Sequence, residues 1–154
     1  RGNASEIIAL SSLWGLDNGT NNANVRGVDS TNSVNEAKNA AIALARWTNG
    51  AVAVSGEIDL ITDGSVIALS YGGSKFMKTI TGAGCSLGGA AAIYLTAASP
   101  FIAALTAASV YNLAASRAAD KVDGPGSFQV KFLDELYKAT GADIANNLFE
   151  IEEV

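Results

Sequence analysis

The stretch from residue 87 to residue 120 constrains this fold more than any other. It is the most apolar part of the chain, its bulk comes largely from alanine, and Ser99-Pro100 divides it. Proline fixes φ and lacks an N–H, so a helix accepts it best in its first turn, with a serine before it as a cap. The segment therefore predicts two adjacent helices, 87–98 and 100 to about 120, packed closely through small side chains. Residues 87–110 are diluted with Gly, Ser and Thr as well as broken by Pro100, and no run of 18 uninterrupted apolar residues occurs, which argues against a membrane span.

Around these helices, shorter signals alternate. Residues 3–14 read as a helix with Ile7, Ile8, Leu10 and Leu13 on one face and Gly15 as the stop. Residues 17–32, rich in Asn, Gly, Asp and Ser, read as a turn-rich connection. Ser33 can cap a helix running to about Thr48 that packs through Ala37, Ala40, Ile42, Leu44 and Ala45, with Asn49-Gly50 ending it. AVAVS, residues 51–55, reads as a buried strand, and residues 60–62 and 66–70 around Asp63-Gly64 as a hairpin at the sheet edge. Residues 76–80 read as another strand. DGPGS, 123–127, reads as a loop before a helix from about 128 to 140 in which Leu133, Leu136 and Tyr137 are apolar and Gly141 is the C-cap. The acidic tail reads as helical. Strands alternating with helices predict α/β architecture.

The charge balance of −5 without a basic run argues against nucleic acid as a partner, because neutralising phosphates supplies most of that affinity. A local phosphate site is compatible with it, since helix N-termini bind anions whatever the global sign. A lone cysteine, Cys85, and no histidine leave no internal disulfide and argue against a zinc site, and the natural setting is cytoplasmic. The first residues lack both a signal-peptide pattern and an initiator Met, and read as lying within a longer protein.

Chemistry concentrates at Thr79-Ile80-Thr81-Gly82-Ala83-Gly84-Cys85, between an expected strand and a helix. Glycines 82 and 84 permit a tight turn and close approach to a ligand, and the unpaired N–H groups of a helix's first turn point at negative charge. Phosphoryl transfer relies on positioning and electrostatic stabilisation, which such a loop supplies. From spacing alone a merely tight turn fits equally well, because no Walker-type lysine motif accompanies it.

TITGAGCSLGG, 79–89, resembles the anion-hole loop of the ribokinase superfamily in its hydroxyethylthiazole kinase version, with Cys85 where most of the superfamily has Asp. RGNASEI (1–7), RGVDS (26–30), SGEID (55–59) and DGPGSF (123–128) resemble that family's segments in the same order, over nearly the whole chain. The resemblance implies a ribokinase-like three-layer α/β fold, a mostly parallel sheet with an edge hairpin, of which 1–154 is the C-terminal portion of one kinase domain and the N-terminal part is missing. It implies ATP-dependent phosphorylation of 4-methyl-5-(2-hydroxyethyl)thiazole in thiamine salvage and biosynthesis, Mg²⁺ as cofactor, and a homotrimer completed by the N-terminal part.

By the same resemblance, Ala83, Gly84 and Cys85 form the anion hole and Cys85 receives the alcohol proton. Arg1 and Ser55 contact ATP, Gly82 borders the thiazole alcohol, and Glu6 with Asn3 organises the metal through water. Read from the residues alone, Asn3 and Glu6 fit a capped surface helix, and Cys85 a small buried apolar residue. Glu57 and Asp59 fit a solvated acidic turn at least as well as metal or water contacts, and Asp29 fits loop chemistry. DGPGSF fits either a rigid loop over the nucleotide or a helix entry capped by Ser127. Two other functions stay open: a hydroxymethylpyrimidine-type vitamin-precursor kinase, and a nucleotide-binding relic without catalysis.

Overall fold

The computed structural model describes residues 1–16 and 34–154. In chain order the elements are β1 (Gly2–Asn3), α1 (Ala4–Leu13), α2 (Val34–Thr48), β2 (Val52–Ser55), β3 (Asp59–Thr62) and β4 (Val66–Ser70). There follow a 3₁₀ turn (Lys75–Lys78), α3 (Ala83–Tyr94), α4 (Pro100–Ala119), α5 (Pro125–Lys138), α6 (Gly141–Ala145) and β5 (Phe149–Glu153). One sheet of order β1-β2-β3-β4-β5 forms the middle layer. The β1–β2 pair is parallel and the other three pairs are antiparallel, so among the described residues the sheet is mixed, with its parallel part at one edge.

Strand side chains alternate between faces. Val52, Val54, Leu60 and Ile67 enter a core with α1 and α2, while Ile61 and Ala68 meet Leu105 and Ala108 of α4 on the other face. Helices α3 and α5 pack on α4, and Phe128 and Phe132 close a third cluster against Val110, Tyr111 and Ala114. Alanine at positions 103, 107, 108, 114, 115 and 118 of α4 is what lets three neighbours approach one helix so closely.

Several expectations need correction. The α1 face is Ala4, Ile7, Ile8 and Ser11, spaced i, i+3, i+4, i+7, so Leu10 and Leu13 turn outward, Leu13 to 78% exposure. Residues 76–80 do not form a strand. Ser74 Oγ caps the 3₁₀ turn by accepting the Phe76 N–H at 3.2 Å, and Phe76 packs on Phe128 with ring centroids 5.3 Å apart. Helix α5 starts at Pro125, which occupies the favoured first turn, so most of DGPGS is helix rather than loop, and Ser127 does not cap it. Its buried side chains are Phe128, Phe132 and Glu135, with Leu133 and Tyr137 exposed. Gly141 does not cap α5; it opens α6, whose Thr140–Asp143 capping box sets the start. The tail is the strand β5, paired with β4 from Phe149↔Ser70 to Glu153↔Val66, so the β3–β4 hairpin is not at the sheet edge. The expected cap Ser33 and the segment RGVDS with Asp29 lie outside the described residues.

Candidate active site

Parallel strands β1 and β2 end side by side, with Asn3 opposite Ser55 in register. Ligands of open α/β sheets bind beyond such carboxyl ends. The N-terminus of α3 arrives at the same place, and Arg1 ties it there: one guanidinium nitrogen donates to the Gly84 carbonyl at 3.0 Å and the other to Ser55 Oγ at 3.3 Å. Arg1, Ser55 and Gly84, separated by up to 83 residues in sequence, are thus brought into contact.

Helix α3 begins four residues earlier than its apolar pattern indicates, because Gly82 at φ 86° adopts the left-handed conformation and turns the chain directly into the helix. The glycine loop's second half is therefore the helix's first turn. The first intrahelical bond is Ser86 N–H to the Gly82 carbonyl at 2.9 Å, and Gly82 supplies no capping side chain. The N–H groups of Ala83, Gly84 and Cys85 precede that bond and are the donors a helix leaves for an anion. Cys85 is exposed on the first turn of α3.

Asn3 is not in the helix but caps it, at φ −76° and ψ 172°. Its Oδ1 accepts the Glu6 N–H at 3.0 Å, and Glu6 Oε2 accepts the Asn3 N–H at 2.7 Å. This capping box stabilises the helix start by about 1 kcal/mol and uses one oxygen of each side chain. Glu6 is exposed, and Oε1 lies outside the box. No group of three His, Cys, Asp or Glu side chains able to hold a metal occurs among the described residues. Glu57 is exposed on the β2–β3 turn, as a solvated turn predicts.

Asp59 departs from that expectation. It is 9% exposed, its Oδ1 accepts the Gly56 N–H at 2.9 Å, and its Oδ2 accepts from Asn112 Nδ2 at 3.0 Å. Burial pushes its carboxyl above the usual carboxylate range, opposed by the bonds from Gly56 and Asn112 and by the Arg1 charge. A cavity of about 300 Å³ opens beside it, with Arg1, Ser55 and Asp59 on its polar side and Leu87, Gly88, Ala91, Ala104 and Ala108 on its apolar side. Sequence reading missed Asn112. The available signal was an amide in the middle of an alanine-rich helix.

The hydroxyethylthiazole kinase family model matches residues 1–141. A protein of Bifidobacterium longum subsp. infantis named hydroxyethylthiazole kinase is 46% identical over 96% of the chain and 52% of its own length. The protein of the same name from Bifidobacterium adolescentis is 49% identical over 94% of the chain and 53% of its length. Among solved structures, hydroxyethylthiazole kinase from Pyrococcus horikoshii superposes with a TM-score of 0.79 at 29% identity, covering 99% of this chain and 53% of that one. The chain spans about half the length of the relatives it matches. No helix among the described residues is long and apolar enough to cross a membrane.

Proposed function

The chain belongs to the hydroxyethylthiazole kinase family, and from that premise we propose that it forms the phosphate-handling side of a kinase moving the ATP γ-phosphoryl group to the hydroxyl of 4-methyl-5-(2-hydroxyethyl)thiazole in thiamine biosynthesis. The observation that carries this reading is the Arg1 bridge between Ser55 and Gly84, which places a cation and a hydroxyl beside three unpaired helix N–H groups.

In this reading the N–H groups of Ala83, Gly84 and Cys85 stabilise charge building on the transferred phosphoryl oxygens. A preorganised donor of this kind is worth roughly 3 kcal/mol of barrier when removed singly. Arg1 pairs with phosphate oxygens through its planar fork, and Ser55 Oγ donates to another. Cys85 Sγ takes the proton from the attacking hydroxyl, and Gly82, with open space where a side chain would project, leaves room for that alcohol. Glu6 Oε1, which the capping box leaves over, would hold Mg²⁺ through water with the aid of Asn3. The ion would supply positive charge to offset that of the phosphates. Most contacts to the thiazole ring, the homotrimer and the cytoplasmic setting belong to the same family reading. The uncovered apolar flank of α3 and its C-cap, with Ile93 at 70% and Leu95 at 50% exposure, supports burial of that face in the complete protein.

The test is a substrate comparison on the intact protein with ATP and Mg²⁺. Thiazole phosphate as the product supports the reading, preference for hydroxymethylpyrimidine replaces the substrate, and ATP binding without transfer to either indicates a relic. In the same assay Cys85→Asp retains or raises turnover, because it restores the carboxylate usual in the superfamily. Complete loss with the fold intact contradicts proton acceptance at this position.

A further inference from the structure

One face of α4 touches both loops that build the site. Asn112 Nδ2 donates to Asp59 Oδ2 at 3.0 Å and to Ser70 Oγ at 3.1 Å, and the Asn112 carbonyl accepts the Gly73 N–H at 3.1 Å. One turn on, Ser116 Oγ accepts from the same Gly73 N–H at 3.0 Å and donates to the Gly73 carbonyl at 3.1 Å. Asp59 accepts the Gly56 N–H and so closes the turn that follows Ser55. Gly72 and Gly73, at φ 107° and 89°, press so close to α4 that a side chain at Gly73 would come within 3.2 Å of Asn112 Oδ1. From Gly73 the chain runs through the Ser74 cap and the 3₁₀ turn to Gly82.

We propose that Asn112 and Ser116 are positioning residues. Asn112 acts through Asp59 on the turn presenting Ser55, and Ser116 acts through Gly73 on the lead-in to the first turn of α3. One helix face thereby fixes the nucleotide-contacting hydroxyl and the anion hole relative to each other. The inference rests on the nucleotide reading of Ser55 and of the α3 N-terminus. The bonds span 42 to 53 residues; one ends on Asp59, which closes the turn after Ser55, and another on Gly73, where the segment leading to α3 begins.

The experiment is steady-state kinetics with ATP as the varied substrate, paired with thermal unfolding, on the intact protein. Asn112→Asp sets two carboxylates against each other and raises KM for ATP about tenfold with kcat within about twofold. The reciprocal pair Asp59→Asn with Asn112→Asp again matches a donor to an acceptor and returns both KM and Tm toward wild type. Ser116→Ala frees the Gly73 side and lowers kcat more than it raises KM. Variants that lose Tm while keeping both kinetic constants would overturn the proposal, as would a reciprocal pair that recovers Tm but not KM. Should Asn112→Asp not fold, the reciprocal pair and Ser116→Ala carry the test. Ser55→Ala separates the two levels: an unchanged KM there removes the nucleotide reading and this inference together. A raised KM for Ser55→Ala with none for Asn112→Asp removes this inference alone.

Discussion

Helix α2 buries six of its fifteen residues, whereas α3, which carries no charged side chain, buries only Ala83 of its twelve. Apolarity therefore does not explain which helix is sealed. Helix α2 has its aliphatic side chains on the face turned to the sheet and its charges on the other, and it joins α1 in a closed core. Helix α3 lies on α4 rather than on the sheet, presents its N-terminus to Arg1, and lends its flank to the cavity. The α1–α2 face holds the fold, and the α3 face holds the proposed site.

The largest expected effect is on the sealed side. Leu44, 2% exposed, leaves a cavity when truncated, so Leu44→Ala lowers unfolding free energy by about 2–5 kcal/mol in a denaturant titration. A loss below about 1 kcal/mol would show that this core is not what holds the sheet.

Gly84→Ala reverses the pattern on the α3 side. A methyl group there would lie 3.1 Å from one Arg1 guanidinium nitrogen, so the guanidinium must give by a few tenths of an ångström, which strains its bond to the Gly84 carbonyl. ATP affinity measured by calorimetry is expected to fall about tenfold, or about 1.4 kcal/mol. Stability is expected to hold or rise by up to about 1 kcal/mol, since alanine is the better helix former. Equal losses in both would erase the distinction between the faces.

A smaller effect comes from acid. Arg117 donates to Asp143 at 2.8 Å and, with Thr140, holds that carboxyl well below the usual range. Lys121 and Lys131 act likewise on Glu135. A carboxyl whose folded pKa is depressed contributes stability above its unfolded value of about 4, and that contribution is lost as pH falls toward the folded pKa. Asp59 has the opposite sign: its raised pKa favours the protonated form, so its burial costs stability as pH rises through the folded value. Hydrogen-exchange protection, taken relative to the intrinsic exchange rate at each pH, is therefore expected to fall first in α5 and α6 as pH drops below about 4, with Asp143→Asn flattening the response. A loss of protection confined to α1 and α2 would contradict it. The smallest effect is at Ile93, 70% exposed, where Ile93→Ser shifts unfolding of residues 1–154 by no more than about 0.5 kcal/mol.

Legibility in the sequence follows the same division. The α2 packing residues were readable because the helical period repeats through Ala37, Ala41, Leu44 and Ala45. Ser55 was readable as the end of a short apolar strand, and Gly82–Cys85 as a glycine turn into a helix. The 3₁₀ turn was not, because Phe76, Met77 and Ile80 face a cluster made by distant α4 and α5. Strand β5 was missed although Phe149 and Ile151 alternate with acids; all five of its residues are exposed, and only the ladder to β4 makes it a strand. Asp59 read as a turn acid because its partner Asn112 lies 53 residues away in the sequence.

The most direct test of the central claim is to follow backbone amide resonances of the intact protein while ATP is added. The account predicts that Ala83, Gly84 and Cys85 shift together with the Arg1 guanidinium and the amides of the β2–β3 turn. Saturable shifts elsewhere, with those three amides unmoved, would contradict it.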